Sequence, residues 1–187
     1  MNHKRTKFEN PMRLEELKPI ETLKRIGLLD NHILCDIGAG SGIFTIPAAK
    51  ITKNKVYALE INDEMLSIIG EKANTEGATN IELIKVKDTH FDIIDHSIDV
   101  VLLVTVLHEI NNTTVFLEEV ERVLDDNGKI VVIEFHKRET PMGPPIGHRM
   151  GKDEVIGQLK NAGFIVRENF DLGDNFYCLV FLRSDGV

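Results

Sequence analysis

Three glycines at alternate positions separate a predicted strand from a predicted helix, and no other feature limits the fold of this chain as much. The segment from Leu34 to Gly42 reads LCDIGAGSG. Glycine lets the backbone bend tightly and lets a ligand approach the main chain. The N-terminus of the following helix offers unpaired N–H groups and partial positive charge. The segment therefore predicts a ligand-binding turn between a strand and a helix.

Predicted strands and helices alternate along the chain. Apolar runs typical of strands cover 33–36, 55–60, 81–86, 98–107, 129–135, 164–171 and 176–182. Helical spacing covers 42–51, 63–76, 113–124 and 153–162. The last two strands are separated by only Gly173-Asp174-Asn175, so they form an antiparallel pair. We expect an α/β fold with a Rossmann-like, doubly wound, mostly parallel seven-stranded sheet and a C-terminal antiparallel hairpin.

The predicted domain runs from residue 19 to residue 187, after a basic N-terminal arm of residues 1–18. A chain of 187 residues can bury a core without disulfides or a structural metal. The segment 137–150 is too rich in proline and glycine for a helix or a central strand. Long connections of this kind are often lids or binding elements.

Composition excludes several classes of protein. Lys and Arg number 22 and Asp and Glu number 30, which gives a net charge of −8 and disfavours an electrostatic grip on nucleic acid. Cys35 and Cys178 lie far apart in apolar runs and are expected to be buried thiols in a reducing compartment. No stretch of about 18 apolar residues is present, so we expect no membrane span. A cytoplasmic protein is the expectation.

The spacing of the glycines distinguishes two kinds of ligand. The dinucleotide fingerprint is G-x-G-x-x-G/A, and this chain lacks its last glycine because residue 43 is Ile. Asp36 lies two positions before Gly38, where a carboxylate suits a sulfonium and an α-amino group better than a pyrophosphate. Glu60 follows the second predicted strand, where an acid accepts hydrogen bonds from ribose hydroxyls. Charge therefore favours S-adenosylmethionine over a dinucleotide.

On these residues, the chain resembles the class I S-adenosylmethionine-dependent methyltransferases, and most closely the small-molecule branch of the ubiquinone/menaquinone biosynthesis type. The resemblance covers about residues 30 to 135. It implies that Asp88 binds the adenine amino group and that Thr89 packs on the adenine. It also implies a donor pocket that the basic arm folds over, although disorder of that terminus is an open alternative. The implied donor-binding residues are Asp36, Gly38, Ala39, Gly40, Glu60, Ile61, Asp88, Thr89 and Val104.

Three histidines follow predicted strands or lie in the long segment, on the side where this fold binds ligands. His108 and His136 are the candidate catalytic bases, and His108, His148 and Arg149 are the candidate substrate-binding residues. Each histidine taken alone is more often structural than catalytic. A metal site is disfavoured because the chain has no helical His-x-x-x-His pair and no cysteine cluster with zinc spacing.

The resemblance predicts in-line transfer of a methyl group from S-adenosylmethionine to a small molecule, with S-adenosylhomocysteine as product. The strand-four end lacks the Asn/Asp-Pro-Pro-Tyr/Phe motif of the family's nucleic-acid branch, so we expect no nucleic-acid partner. Three alternatives stay open: a donor-binding protein without catalysis, an NAD-dependent oxidoreductase, and transfer of another group from the same donor. A homodimer through the hairpin or the arm is compatible with the sequence but not required by it.

Overall fold

The computed structural model describes residues 10–87 and 89–184. Asp88 lies outside them, as do residues 1–9, which form the first half of the predicted arm. The chain divides into two compact units, Met1–Asp88 and Thr89–Val187. No helix within the described ranges is long and apolar enough to cross a membrane.

Within the described residues, the first unit contains three parallel strands and four helices. Its strands lie in the order β3-β2-β1, with Asp36 opposite Ala58 and Ala58 opposite Leu83. All four residues of β1 are buried, as are four of the five in β2. The elements are α1 (Pro11–Leu17), α2 (Pro19–Arg25), β1 (Leu34–Ile37), α3 (Thr45–Ile51), β2 (Val56–Glu60), α4 (Asp63–Glu76) and β3 (Ile81–Lys85).

The part of the second unit that the structure describes, 89–184, contains four strands in the order β4-β5-β7-β6. β4 and β5 are parallel, whereas β7 runs antiparallel to both β5 and β6. The elements are β4 (Ile98–Val104), a 3₁₀ turn (Leu107–Glu109), α5 (Thr113–Val123), β5 (Leu124–Phe135), a second 3₁₀ turn (Ile146–His148), α6 (Lys152–Asn161), β6 (Phe164–Leu172) and β7 (Phe176–Arg183).

The seven strands of the described residues, with their order and directions in each unit, confirm the predicted Rossmann-like architecture. The central run of β4 is apolar and almost wholly buried, as expected for a parallel strand covered on both faces. The hairpin of β6 and β7 turns at Gly173, whose φ of 62° is the left-handed conformation that glycine adopts easily. The predicted C-terminal antiparallel pair is therefore confirmed.

Three predicted boundaries are wrong. The helix after the glycine turn begins at Thr45 rather than Gly42, because Gly42 is left-handed (φ 79°) and cannot start a right-handed helix. β4 ends at Val104 rather than residue 107, since Thr105 is also left-handed (φ 55°). The predicted turn at Asp126–Gly128 lies inside β5, at a bulge in its pairing with β4.

The second half of the predicted arm is helical. Asn10 caps α1 by accepting a hydrogen bond from the Met12 amide at 3.0 Å, and Pro11 occupies the first helical position. Leu17 is fully buried and Arg13 is nearly so. The domain boundary at residue 18 stays a prediction, although the burial of Leu17 includes α1 in the packing of the first unit.

Candidate active site

The glycine turn of the first unit connects β1 to α3. Gly38, Gly40 and Gly42 all have positive φ, at 70°, 54° and 79°. The amides of Gly38 and Ala39 both donate to the Leu59 carbonyl, at 2.8 and 3.0 Å, which holds the turn against the end of β2. A methyl group added at Gly42 would lie 3.1 Å from the Ile69 side chain of α4. Gly42 is therefore required by its backbone conformation and by helix packing together.

Glu60 connects the glycine turn to the N-terminus of α4. Its Oε2 atom accepts a hydrogen bond from the Gly40 amide at 2.8 Å. Its Oε1 atom accepts from the amides of Ile61 and Asn62, at 2.9 and 3.1 Å. Charge-assisted bonds of this kind are stronger than neutral ones. The Glu60 carboxylate thus holds two segments of main chain in place: the glycine turn and the start of the connection to α4.

Asp36 is the buried acid of the turn. Its side chain is 2% exposed, and its Oδ2 atom accepts a hydrogen bond from the Thr45 hydroxyl at 2.6 Å. Burial raises the pKa of Asp36 to about 7, and the Thr45 hydrogen bond opposes this rise, while the charge of Glu60 adds to it. A cation bound beside Asp36 would stabilise its charged form.

A second contact fixes the outer part of the turn. The Lys72 ammonium of α4 donates to the Ser41 carbonyl at 2.6 Å. The Ser41 side chain is buried, and its hydroxyl makes no hydrogen bond within the described part of the chain. A buried polar atom without a partner carries an energetic cost, which a bound polar ligand would relieve.

These residues fit S-adenosylmethionine. Asp36 offers a buried acid for the positive groups of the donor, and the unpartnered Ser41 hydroxyl offers a polar contact. Glu60 supplies a carboxylate beside main-chain amides, where a ribose binds in related folds. The next residue, Ile61, is 72% exposed despite being apolar, and offers a surface for a flat ring.

Four further residues were predicted to contact the donor. Ala39 is buried in the turn, as its hydrogen bond to Leu59 requires. Val104 is 8% exposed at the end of β4, and Thr89 is exposed at a bend. Asp88 lies outside the described residues. Donor contact by these four residues stays a prediction.

His108 of the second unit pairs with a buried glutamate. The His108 Nδ1 atom lies 2.8 Å from Oε2 of Glu134, and the His108 amide donates to Glu134 Oε1 at 3.3 Å. The Glu134 side chain is fully buried, and that of His108 is 10% exposed. A histidine oriented by a carboxylate through one ring nitrogen is the usual arrangement of a general base.

His108 lines a cavity of about 400 Å³ in the second unit. The 3₁₀ turn after β4, the long segment 137–150 and α6 all contribute to its wall. The cavity brings together all three predicted substrate-binding residues. Its polar and apolar lining includes His108, Lys137, His148, Arg149, Met150 and Glu154.

Arg149 organises the segment 137–150. Its guanidinium donates to the carbonyls of Pro144, His136, Arg138 and Met142, at 2.6 to 3.2 Å, and to the Thr140 hydroxyl at 2.6 Å. Its side chain is also 5.5 Å from the Phe135 ring centre, which is a cation–π contact. The predicted pairing of Arg149 with an acidic substrate stays a prediction, but these contacts make loop organisation its visible role.

His148 and His136 have different surroundings. His148 is exposed at the 3₁₀ turn Ile146–His148 and lines the cavity. His136 packs on the Tyr177 ring and lies 3.4 Å from Asp171. Burial lowers the pKa of His136, although Asp171 opposes this shift. His136 is not among the residues that line the cavity, so its predicted catalytic role stays a prediction without support from that geometry.

Sequence reasoning did not identify Glu134 or Thr45. Glu134 could have been identified from the sequence, because it is the only charged residue in the apolar run Ile130–Phe135. Thr45 could not have been identified in this way, since its hydrogen bond to Asp36 depends on the turn that brings the two residues together. Within the described ranges, no group of three or more His, Cys, Asp or Glu side chains is arranged to hold a metal ion.

The chain matches the family model described as a methyltransferase domain over residues 35–132, which is more than half of its length. A crystal structure described as a SAM dependent methyltransferase from Aquifex aeolicus superimposes with a TM-score of 0.89 at 29% identity. That alignment covers 94% of this chain and 95% of the Aquifex chain.

Curated relatives are similar over shorter stretches. The ubiquinone/menaquinone biosynthesis C-methyltransferase of a Marinomonas species is 23% identical over 124 residues, 65% of this chain and 49% of that protein. A tRNA (guanine(37)-N(1))-methyltransferase of Dictyostelium discoideum is 30% identical over 100 residues, 52% of this chain and 21% of that protein. The chain therefore spans about half the length of the quinone-type relative. None of these similarities supports the oxidoreductase or the binding-only alternative.

Proposed function

The chain belongs to the methyltransferase-domain family, and on that premise we propose that it transfers the methyl group of S-adenosylmethionine to a small molecule. The observation that carries the proposal is the turn Asp36–Gly42, which closes on Glu60 through the Gly40 amide. When bound, the donor supplies a methyl group on a positively charged sulfur, already activated for in-line displacement. The protein's task is then mainly to place the reacting groups and to exclude water.

Donor binding is assigned to the first unit. Glu60 binds the ribose hydroxyls, and the adjacent exposed Ile61 packs against the adenine ring. Asp36 and the main chain of the glycine turn bind the amino-acid part of the donor. This assignment is supported by the burial and pKa of Asp36, the partnerless Ser41 hydroxyl and the exposure of Ile61.

The acceptor is assigned to the cavity of the second unit. A volume of about 400 Å³ suits a small molecule, and the mixture of apolar and polar walls is typical of such sites. The net charge of −8 and the missing Asn/Asp-Pro-Pro-Tyr/Phe motif also favour a small molecule over nucleic acid. The quinone-type relatives, whose names describe small-molecule methylation, support the same class of acceptor.

Three narrower expectations are part of the proposal. We place the protein in the cytoplasm, which its two buried free cysteines support. We propose that it has no nucleic-acid partner. A homodimer is compatible with the exposed residues Met12 and Ile20 near the N-terminus, which are both about half exposed.

Calorimetric titration with S-adenosylhomocysteine tests the donor site. We expect binding to the wild type, no comparable binding of NAD, and an affinity about 10- to 100-fold lower in Glu60→Ala, because charge-assisted hydrogen bonds contribute about 1.5–3 kcal/mol. Gly40→Val, which forces a branched side chain into a left-handed turn, should abolish binding.

The matched control is Glu82→Ala, an exposed strand carboxylate of β3 that pairs with Lys55. It should bind S-adenosylhomocysteine like the wild type. A preference of the wild type for NAD, or equal affinity in Glu60→Ala and Glu82→Ala, would contradict the proposal. Transfer of a labelled methyl group to small-molecule acceptors then tests catalysis.

A further inference from the structure

Glu134 is a carboxylate in a place where strands ordinarily carry apolar residues. It lies in β5 between Ile133, which is fully buried, and Phe135, which is 6% exposed, and its own exposure is zero. Burying a carboxylate is costly unless hydrogen bonds compensate for the lost water. An apolar residue at this position would avoid that cost. The buried carboxylate therefore indicates a function other than stabilising the strand.

Both oxygens of Glu134 engage the same residue. Oε2 lies 2.8 Å from the His108 ring atom Nδ1, and Oε1 accepts the His108 amide at 3.3 Å. A charged carboxylate only accepts hydrogen bonds, so the first contact favours the tautomer with the ring proton on Nδ1. The imidazole then presents Nε2 as its basic atom. The second contact fixes the 3₁₀ turn that carries the ring.

The backbone is strained at Thr105, three residues before His108, where the chain leaves β4. Thr105 is left-handed at φ 55°, although it is β-branched, and its amide is held by the Ile133 carbonyl at 2.7 Å. Such conformations persist where the surrounding structure imposes them, and they are concentrated at functional sites. The strain directs the chain from β4 into the turn that lines the cavity.

We propose that Glu134 is a positioning residue that holds His108 as the general base for an acidic hydroxyl, phenolic or enolic, on the methyl acceptor. The inference rests on the proposed function and deepens it by naming the class of acceptor. An acceptor such as a thiolate or a tertiary amine needs no base, because its reacting atom carries no proton. A histidine that a carboxylate orients in this way suits an acceptor from which a proton must be removed.

The acceptor oxygen loses its proton to Nε2 of His108 while the oxygen–methyl bond forms and the methyl–sulfur bond breaks. The bonding electrons of the broken bond stay on sulfur, which leaves a neutral thioether. His108 then releases the proton to water. Glu134 orients the ring and stabilises the imidazolium that forms.

The positioning role is tested without any acceptor by ¹⁵N NMR of the histidine ring nitrogens. We expect neutral His108 to be the Nδ1–H tautomer in the wild type, with His108→Gln used to assign its signals. Glu134→Gln should remove that preference, because an amide can donate as well as accept. Glu168→Gln, an exposed carboxamide replacement on β6, should leave the His108 signals unchanged. An unchanged tautomer in Glu134→Gln would overturn the positioning role.

The base role is tested by the rates of methyl transfer to catechol and to thiophenol, which is largely ionised near neutral pH. We expect Glu134→Gln and His108→Gln each to lower kcat for catechol by about 100-fold or more. The rate with thiophenol and the affinity for S-adenosylhomocysteine should change little. The rise of kcat with pH for catechol should disappear in His108→Gln. These two variants keep the test decisive if one of them folds poorly.

Three results would overturn the inference. Equal losses with catechol and thiophenol would show a structural role for the pair. An unchanged dependence of kcat on pH in His108→Gln would show that His108 is not the general base. No transfer to catechol by a wild type that binds S-adenosylhomocysteine would exclude the hydroxyl class while the donor site remains. Failure to bind S-adenosylhomocysteine would instead contradict the proposed function itself, and the NMR result would still decide whether Glu134 positions His108.

Discussion

At the scale of one side chain, Asp36 shows how burial changes the properties of a carboxyl group. It is almost completely buried and accepts a hydrogen bond from the Thr45 hydroxyl at 2.6 Å. Burial favours the protonated form, so the pKa of Asp36 rises from an ordinary 3.8 to about 7. Near neutral pH the side chain is therefore partly uncharged, and a positive group bound beside it would favour its charged form.

This pKa predicts how stability depends on pH. A group whose pKa is raised by folding stabilises the protein below its unfolded pKa, and that contribution is lost as the pH rises through the folded value. Between about pH 4 and pH 7 the wild type should lose stability through Asp36. The melting temperature of Asp36→Asn minus that of the wild type should therefore increase with pH. We expect this difference to be several degrees larger at about pH 8 than at about pH 5.

Thermal melts of both proteins at the two pH values check this prediction. Asp92→Asn, a change at an exposed residue, is the control and should follow the wild type at both. If the difference between Asp36→Asn and the wild type were the same at both pH values, Asp36 would not titrate in this range.

At the scale of an element, the segment 137–150 is ordered by one side chain. It contains only a 3₁₀ turn, and its main-chain carbonyls converge on the Arg149 guanidinium. The planar group reaches several acceptors at once, which an ammonium cannot do. The segment is thus a wall of the cavity built around an arginine, and its shape does not depend on regular secondary structure.

Replacing Arg149 should loosen this wall. In Arg149→Lys we expect amide hydrogen exchange across 137–150 to be at least about tenfold faster, because hydrogen bonds to a charged group contribute about 1.5–3 kcal/mol. Mass spectrometry of peptides from this segment measures the effect. Arg167→Lys, an exposed change on β6, should leave the exchange of these peptides unaltered. Equal rates in Arg149→Lys and the wild type would assign the order of the segment to its prolines.

At the scale of the whole molecule, the net charge of this chain bears on the class of acceptor. Acidic side chains exceed basic ones by eight. A protein that grips nucleic acid neutralises phosphates with Lys and Arg, and its affinity falls steeply with salt. The similarity to a tRNA methyltransferase covers only 21% of that protein. The alignment is therefore no reason to assign that protein's substrate to this chain.

We therefore expect no saturable binding of bulk tRNA below about 100 µM at low salt, since non-specific binders of nucleic acid reach about 10⁻⁴–10⁻⁶ M at physiological salt. Fluorescence anisotropy with labelled tRNA tests this, with S-adenosylhomocysteine titrated into the same preparation to establish that it is folded and competent. Micromolar binding that weakens steeply between about 50 and 200 mM salt would assign the acceptor to nucleic acid.

The sequence alone determined the parts of this protein that depend on local pattern. Strand and helix periodicity predicted α4 at its observed bounds and placed the strands and the helices α3, α5 and α6 within a few residues, with β5 the least accurate. The helix α1 was not predicted, because its residues were assigned to the basic arm. Alternate glycines after β1 predicted a ligand turn, and all three have the positive φ that the turn needs. These features are local, because the backbone conformation of a glycine turn and the spacing of apolar residues are properties of short segments.

Tertiary structure alone decided which distant side chains meet. Glu134 and His108 are 26 residues apart, and only the pairing of β4 with β5 brings the carboxylate to the ring. Arg149 looked like a substrate ligand in the sequence, yet its guanidinium bonds its own loop. Thr45 reaches Asp36 because the turn delays the start of α3. Hydrogen bonds across such distances depend on packing, which no short stretch of sequence contains.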